Sequence, residues 1–273
     1  KFGALLLCLN PAYRLHEVKY ALTQSQCSVV IAAERFKGSD YSAMLQQLVP
    51  ELSHHQAGKI RSQELPVLRA VVSLADEPSS KEMSCKGVMS WKQLQGMAAQ
   101  ISATALAERQ ASLNCQQAIN IQYTSGTTGF PKGATLSHHN ILNNGFMVTE
   151  NLGFSEQDKL VIPVPLYHCF GMVMGNLGCI SHGAAMIYPG EAFDPQAVLE
   201  TVQQEQATAL YGVPTMFIAE LAVPDFEQFD LSSLRTGIMA GASCPVEVMK
   251  QVMEKMHMQQ VQIAYGMTET SPV

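Results

Sequence analysis

The chain has 273 residues, 47% of them hydrophobic and 15% charged, so it can bury a large core and lies at the length where one domain commonly splits into two subdomains. A net charge of -6 and a pI near 5.7 give no basic footprint for nucleic acid, and no run of like charges forms a binding tail. The seven cysteines are scattered, odd in number and never spaced as C-x-x-C, and the eight histidines include two adjacent pairs but no H-E-x-x-H. Neither a disulfide framework nor a protein-ligated transition metal is expected, and a reducing compartment fits best.

Lys1 and the apolar run after it imitate a signal peptide, yet the run is short and lacks a small-residue cleavage site, so residues 4–9 read as an internal strand. A helical pattern over 15–26, a strand over 28–33 and a helix over 41–48 follow. Residues 51–65 and 76–86 turn polar and read as surface connections. A strand-like run over 119–124 ends abruptly in a glycine- and threonine-rich stretch. Beyond it come strands over 160–164, 184–188, 207–211, 234–240 and 261–265. Between these lie helices over 171–180, from Asp194-Pro195, from near Pro214 and over 245–256. The most apolar stretch, 161–189, is interrupted by Pro163, Pro165, His168, Asn176 and His182 and is no clean membrane span. Alternation of this kind predicts βαβ units with parallel sheet, in two α/β parts, 1–150 and 151–273.

The stretch Tyr123-Thr-Ser-Gly-Thr-Thr-Gly-Phe-Pro-Lys-Gly133 carries the chemistry. Such a turn offers backbone N–H groups and four hydroxyls to one small anion, which is what phosphate oxygens require. Gly126 and Gly129 permit close backbone approach, Pro131 stiffens the exit, and Lys132 supplies a point charge. It is not the P-loop of the common NTPases, because Lys132 is preceded by Pro131 and followed by Gly133 rather than by Ser or Thr. A surface turn is the ordinary alternative for a lone G-x-x-G; the run of small and hydroxylic positions from Thr124 to Gly129, followed by Phe130 and then Pro-Lys-Gly, argues against it.

This stretch resembles the signature of the AMP-forming acyl- and aryl-CoA synthetases, luciferases and peptide-synthetase adenylation domains. Three further matches follow in that family's order: Pro165-Leu-Tyr-His-Cys-Phe-Gly171, Ala240-Gly-Ala242 and Tyr265-Gly-Met-Thr-Glu-Thr-Ser-Pro272. Asn10-Pro-Ala-Tyr13, Leu210-Tyr-Gly-Val-Pro-Thr-Met216 and Ser137-His-His-Asn140 resemble the mitochondrial medium-chain acyl-CoA synthetases in particular. The resemblance implies two stacked α/β subdomains of the large N-terminal domain of adenylate-forming enzymes, incomplete at both ends. It implies ATP, Mg²⁺ and coenzyme A as cofactors or co-substrates, a fatty acid as substrate, and a mitochondrial matrix location with the cytoplasm as alternative. The family's first elements would lie upstream. Its ribose-binding aspartate, hinge and small C-terminal domain would lie beyond Val273, leaving this chain weak or inactive alone.

Position by position, the resemblance assigns the β- and γ-phosphates to Thr124, Ser125, Gly126, Thr127, Thr128, Gly129, Phe130, Pro131 and Lys132. Glu269 takes the Mg²⁺ position, Thr268 the α-phosphate, and Tyr265 with Gly266 the adenine. Gly241 and Ala242 are small where the purine passes the backbone, and His168 lines the carboxylate end of the acyl tunnel. Each has an ordinary structural alternative: a core tyrosine for Tyr265, a helix-start glutamate for Glu269, a satisfied core histidine for His168, a tight turn for Gly241-Ala242. Phe170, Gly171, Met172, Met216 and Phe217 could shape an apolar acyl pocket and the 15 methionines an adaptable lipid surface, but such residues at helical spacing are more often core filling. A ligase for another acid, or a non-catalytic chain that only binds nucleotide or a partner, remain the competing functions.

Overall fold

The computed structural model describes residues 2–77, 83–124 and 131–273. They form two compact units, one of residues 1–114 and 123–133, the other of 115–122 and 134–273. The helix over 138–151 belongs to the second unit.

The first unit runs β1 (Leu6–Cys8), α1 (Leu15–Gln24), β2 (Val29–Ala32), the antiparallel pair β3 (Arg35–Phe36) and β4 (Ser39–Asp40), α2 (Tyr41–Leu48), β5 (Ala70–Ser73), β6 (Val88–Ser90), α3 (Trp91–Met97) and α4 (Ala103–Ala111). Strands β2, β5 and β6 pair in parallel, and Leu22, Leu45, Leu48, Leu52 and Leu68 bury against Val71. Helix α2 starts where the Asp40 carboxylate accepts from Ala43 N at 2.9 Å. Helices α3 and α4 bury no residue, so no apolar period announces them; capping serines open both. Ser90 and Gln93 close a reciprocal capping box, and Ser102 accepts from Ala105 N at 3.1 Å.

Strands β7 (Ala118–Thr124) and β8 (Lys132–Ser137) are neighbours in one sheet, and the division between units runs through both. The second unit continues with α5 (His138–Asn151), β9 (Lys159–Val161), a wide-turned π-helix over Phe170–Leu177, α6 (Gly178–His182), β10 (Ala185–Ile187) and α7 (Pro195–Glu205). It ends with β11 (Ala209–Gly212), α8 (Pro214–Leu221), β12 (Thr236–Ala240), α9 (Val246–Lys255) and β13 (Gln260–Ala264). The strand order is β10-β9-β11-β12-β13, every pair parallel, as the alternation predicted. Phe217, Met239, Met256 and Met258 fill the core on one side of this sheet, and Phe170 joins Tyr211 on the other, so the core reading of these side chains holds.

The amino ends of the three central strands are tied by one carboxylate. Asp158 Oδ1, just before β9, accepts from Thr208 Oγ1 at 2.7 Å, just before β11, and from Arg235 Nη2 at 2.8 Å, just before β12. Ser155 N reaches Oδ2 at 2.8 Å. Burial raises the pKa of this carboxyl, but the hydrogen bonds from Thr208, Arg235 and Ser155 outweigh it and hold the group below its ordinary value. Arg235 also donates to the carbonyls of Leu152 and Gly153, closing the end of α5 onto the sheet.

Glu220 on α8 is the opposite case: fully buried, with neither carboxylate oxygen hydrogen-bonded, and pushed up by burial from 4.5 to about 8. The folded chain keeps the proton while the unfolded chain releases it. The stability that Glu220 contributes is therefore complete below about pH 4.5 and drains away as pH rises toward about 8. Asp158 acts only below its ordinary carboxyl range, so the two windows separate. Glu220→Gln should gain melting temperature over the parent at pH 8 but not at pH 4.5; an equal difference at both values would show that Glu220 is not protonated in the fold.

Candidate active site

In the second unit the chain passes from β9 to β10 on one side, then crosses to β11 on the other, so the order reverses between β9 and β11. In open parallel sheets such a reversal opens a crevice at the carboxyl ends of the strands. The segment leading to His168 leaves the end of β9, Gly241 and Ala242 leave β12, and Tyr265 and Gly266 leave β13. Because Ala240 pairs with Ala264, Gly241 and Tyr265 each lie one residue past the ladder on neighbouring strands. The sheet thus brings five of the expected site residues to one edge.

Their environments differ. Gly241 turns at φ +85°, a region that a side chain would strain, and with Ala242 it is exposed. Tyr265 is 94% exposed, so it is not a core tyrosine. Gly266 has no room for a Cβ, which would stand 1.8 Å from the carbonyl oxygen of Pro272. The short turn Thr268–Thr270 buries Thr268 and exposes Glu269.

His168 stands before the π-helix and is exposed to solvent. Its Nδ1 accepts from Phe170 N at 3.1 Å, so in the neutral ring Nε2 carries the proton. Lost hydration lowers its pKa, which favours that neutral form. The next residue, Cys169, is fully buried with Sγ 2.8 Å from Gln122 Oε1. Burial pushes its thiol up to about 12, against which a hydrogen bond from the Thr268 hydroxyl pulls down, so it is neither a nucleophile nor a metal ligand at neutral pH.

In the first unit, Thr124 is the last residue of β7, Pro131 precedes β8, and Lys132 opens β8 with its side chain exposed. The sequence pattern put Lys132 in the loop, and β8 was not expected. The adjacency of β7 and β8 holds the two ends of the stretch together. Ser125, Gly126, Thr127, Thr128, Gly129 and Phe130 lie outside the described residues. Tyr123, at the loop's entry, is fixed on α1 by its hydroxyl, which lies 3.2 Å from the Ala21 carbonyl and 2.9 Å from Gln24 Oε1.

Gln122 and Cys169 were missed as site neighbours. A signal for the first is present: Asn120 and Gln122 alternate with Ile119 and Ile121, and both polar residues are buried. Among the described residues no three His, Cys, Asp or Glu side chains gather as a metal cluster. A lone exposed carboxylate such as Glu269 suits Mg²⁺, which usually completes its octahedron with water and phosphate oxygens.

A parallel sheet whose strand order reverses between β9 and β11, with small turns and an exposed aromatic at its carboxyl edge, is an architecture in which ligands bind at that edge. The chain belongs to the AMP-binding enzyme family, whose profile matches residues 1–273. Its relatives include the putative acyl-CoA synthetase YngI of Bacillus subtilis, 46% identical over 273 residues, covering 100% of this chain and 48% of that protein. The mitochondrial medium-chain acyl-CoA ligase ACSF2 of Danio rerio is 42% identical over 280 residues, covering 100% of this chain and 44% of the relative. The chain therefore spans about half the length of the curated relatives it matches. Among solved structures, the anthranilate CoA ligase AuaEII in complex with anthranoyl-AMP superposes with a TM-score of 0.77 at 24% identity, over 96% of this chain and 46% of that one. A putative long-chain-fatty-acid CoA ligase from Rhodopseudomonas palustris gives 0.72 at 20% identity, over 99% and 58%. These likenesses show the fold, that of the N-terminal domain of adenylate-forming enzymes.

Exposure separates Tyr265 from its neighbour in a way that denaturation can read. Tyr265→Ala should change stability by no more than about 0.5 kcal/mol, as surface substitutions do, whereas Gly266→Ala must displace backbone and should cost roughly 1–3 kcal/mol. Equal losses in urea unfolding would return Tyr265 to a packing role.

Proposed function

We propose that this chain carries the adenylate-forming site of an ATP-dependent fatty acid to coenzyme A ligase, with a medium-chain acid as substrate. The observation that carries the reading is the carboxyl edge of the five-stranded sheet, where Gly241, Ala242 and an exposed Tyr265 precede the turn bearing Thr268 and Glu269. The names of the relatives supply the acid and the thiol, and the ACSF2 proteins support a mitochondrial location. The Bacillus subtilis relative leaves the cytoplasm as the alternative.

In this reading a carboxylate oxygen of the acid attacks the α-phosphorus of ATP in line, the bond to the β-phosphate oxygen breaks, and pyrophosphate leaves. The coenzyme A thiolate then attacks the acyl carbon of the acyl-adenylate and AMP departs, with no covalent enzyme intermediate. Residues Thr124 to Lys132 take the β- and γ-phosphates, and the exposed Lys132 ammonium offsets charge on the leaving group. Tyr265 offers its open face to adenine, Gly241 and Ala242 leave room beside it, and Gly266 keeps the turn tight. Thr268 donates to the α-phosphate. Neutral His168 presents Nε2–H, a donor that can orient a carboxylate without holding it as an ion pair. Bound through Glu269, Mg²⁺ would supply charge neutralisation at the phosphates.

A second reading, a ligase for an aromatic acid, is favoured by the likeness to the anthranilate CoA ligase. Carboxylate-dependent exchange between ATP and labelled pyrophosphate, run on this chain and on any longer polypeptide that carries it, separates the readings. A maximum with medium straight-chain acids supports the proposal, exchange confined to aromatic acids supports the second reading, and silence with every acid favours the non-catalytic alternative.

Lys132→Ala should slow exchange by roughly tenfold to a hundredfold, the scale for losing one charged contact to a transferring phosphate. Unchanged exchange would remove Lys132 from the phosphate site. Glu269→Gln should raise the Mg²⁺ concentration needed for half-maximal exchange while leaving the fold intact; a titration matching the parent's would exclude Glu269 as the metal contact.

A further inference from the structure

We propose that Tyr123 is a positioning residue whose hydroxyl, latched to Gln24 and Ala21 on α1, orients the entry of the phosphate-binding stretch and so sets the affinity for ATP. The inference rests on the function proposed above for Thr124 to Lys132. Tyr123 and α1 belong to the same unit, and the contact spans 99 residues of sequence. The phenolic oxygen lies 2.9 Å from Gln24 Oε1 and 3.2 Å from the carbonyl oxygen of Ala21. Gln24 Nε2 in turn donates to the Tyr20 hydroxyl at 3.0 Å. Tyr20 and Gln24 are four residues apart and share one face of α1, and the rings of Tyr20 and Tyr123 meet edge to face with centroids 6.4 Å apart. Turning the Gln24 amide over exchanges donors and acceptors along this row yet keeps every contact, because the phenolic proton then goes to Ala21. The ring contact alone would let the side chain slide; the polar contacts at its tip fix it.

The latch holds the last point of support before the loop. Tyr123 and Thr124 are the final residues of β7, and successive side chains of a strand point to opposite faces. With Tyr123 tied to α1, Thr124 is turned to the face away from that helix, where the strand ends and the stretch assigned to the phosphates begins. The other end of the stretch is held by β8, which starts at Lys132. Burial pushes the Tyr123 phenol up to about 12, so it stays a donor over the whole range of an enzyme assay. Neither Tyr20 nor Gln24 is assigned a ligand, so in this scheme both act on ATP only through Tyr123.

The test measures acid-dependent ATP–pyrophosphate exchange in the longest polypeptide carrying this chain, with Tyr123→Phe, Gln24→Met, their double variant and Lys132→Ala. Tyr123→Phe keeps the ring and should raise KM for ATP roughly threefold to tenfold while moving kcat and KM for the acid less than about twofold. A stretch that must first be oriented weakens ground state and transition state alike. Gln24→Met, on the exposed side of α1, should raise KM for ATP about twofold to fivefold, since the contact to Ala21 remains. The double variant should exceed Tyr123→Phe by less than about 1.5-fold, the non-additivity of residues acting through one another. A parental KM for ATP in a folded Tyr123→Phe, multiplying increases in the double variant, or an equal rise in KM for the acid would overturn the proposal. Parental kinetics in Lys132→Ala would instead strike the phosphate site itself. Should the parent show no exchange, or Tyr123→Phe fail to fold, the NMR backbone order parameter of Thr124 decides. A lower value in Gln24→Met than in the parent upholds the latch, and an equal value refutes it.

Discussion

The bond set around Asp158 is the constraint on which the second unit depends. One buried carboxylate takes hydrogen bonds from Thr208, Arg235 and Ser155, and the first two stand at the amino ends of β11 and β12 while Asp158 itself stands at that of β9. Burying a charge is costly unless it is paired and its remaining lone pairs are filled, and here both conditions are met. With the amino ends tied, the parallel ladder runs in fixed register to Gly212, Ala240 and Ala264. A slip of one residue would exchange the two faces of each strand and carry Gly241 and Tyr265 out of step. The geometry of the carboxyl edge is thus set at the opposite edge, where no ligand is expected.

At the carboxyl edge the side chains divide by exposure. Tyr265, Glu269, Gly241 and Ala242 reach solvent and are open to a ligand. Thr268 and Cys169 are buried, and only a hydroxyl or thiol that is small and hydrogen-bonded is tolerated there. His168 is exposed as well, yet its ring is fixed through Nδ1. The gradation runs from ligand-facing groups through oriented groups to the packed layer that orients them, and a transition state is stabilised only when the last of these does not reorganise.

Much of this was legible in the sequence because local chemistry and tertiary packing agree. Helix α2 falls on residues 41–48 as read, since Asp40 caps it and its apolar period faces the core. Asp194 and Pro195 opened α7 in the same way. The parallel sheet followed from alternation alone. Helices α3 and α4 escaped because they bury nothing, so periodicity had no signal to give; only their capping serines mark them. Strand β8 escaped because Lys132 and Gly133 belong to the phosphate-binding motif and masked the strand that starts there. The family resemblance named Thr268 and Glu269 but could not say that one is buried and the other exposed, because burial depends on the return of the chain at Pro272 against Gly266.

Glu220 and Gln122 both break the rule that interiors satisfy their hydrogen bonds, and they do so differently. Glu220 has no partner on either oxygen, so the fold can keep it only as the neutral acid, and its effect is confined to stability against pH. Among the described residues Gln122 is unsatisfied on its nitrogen, while its oxygen meets the buried Cys169 sulfur at 2.8 Å. An apolar residue in place of Glu220 would remove a penalty and lose no contact. The same change at Gln122 would remove the donor's penalty but leave the buried Cys169 thiol without its acceptor. The difference between a burden and a support therefore lies in what the second atom of each group touches, which sequence pattern alone does not reveal.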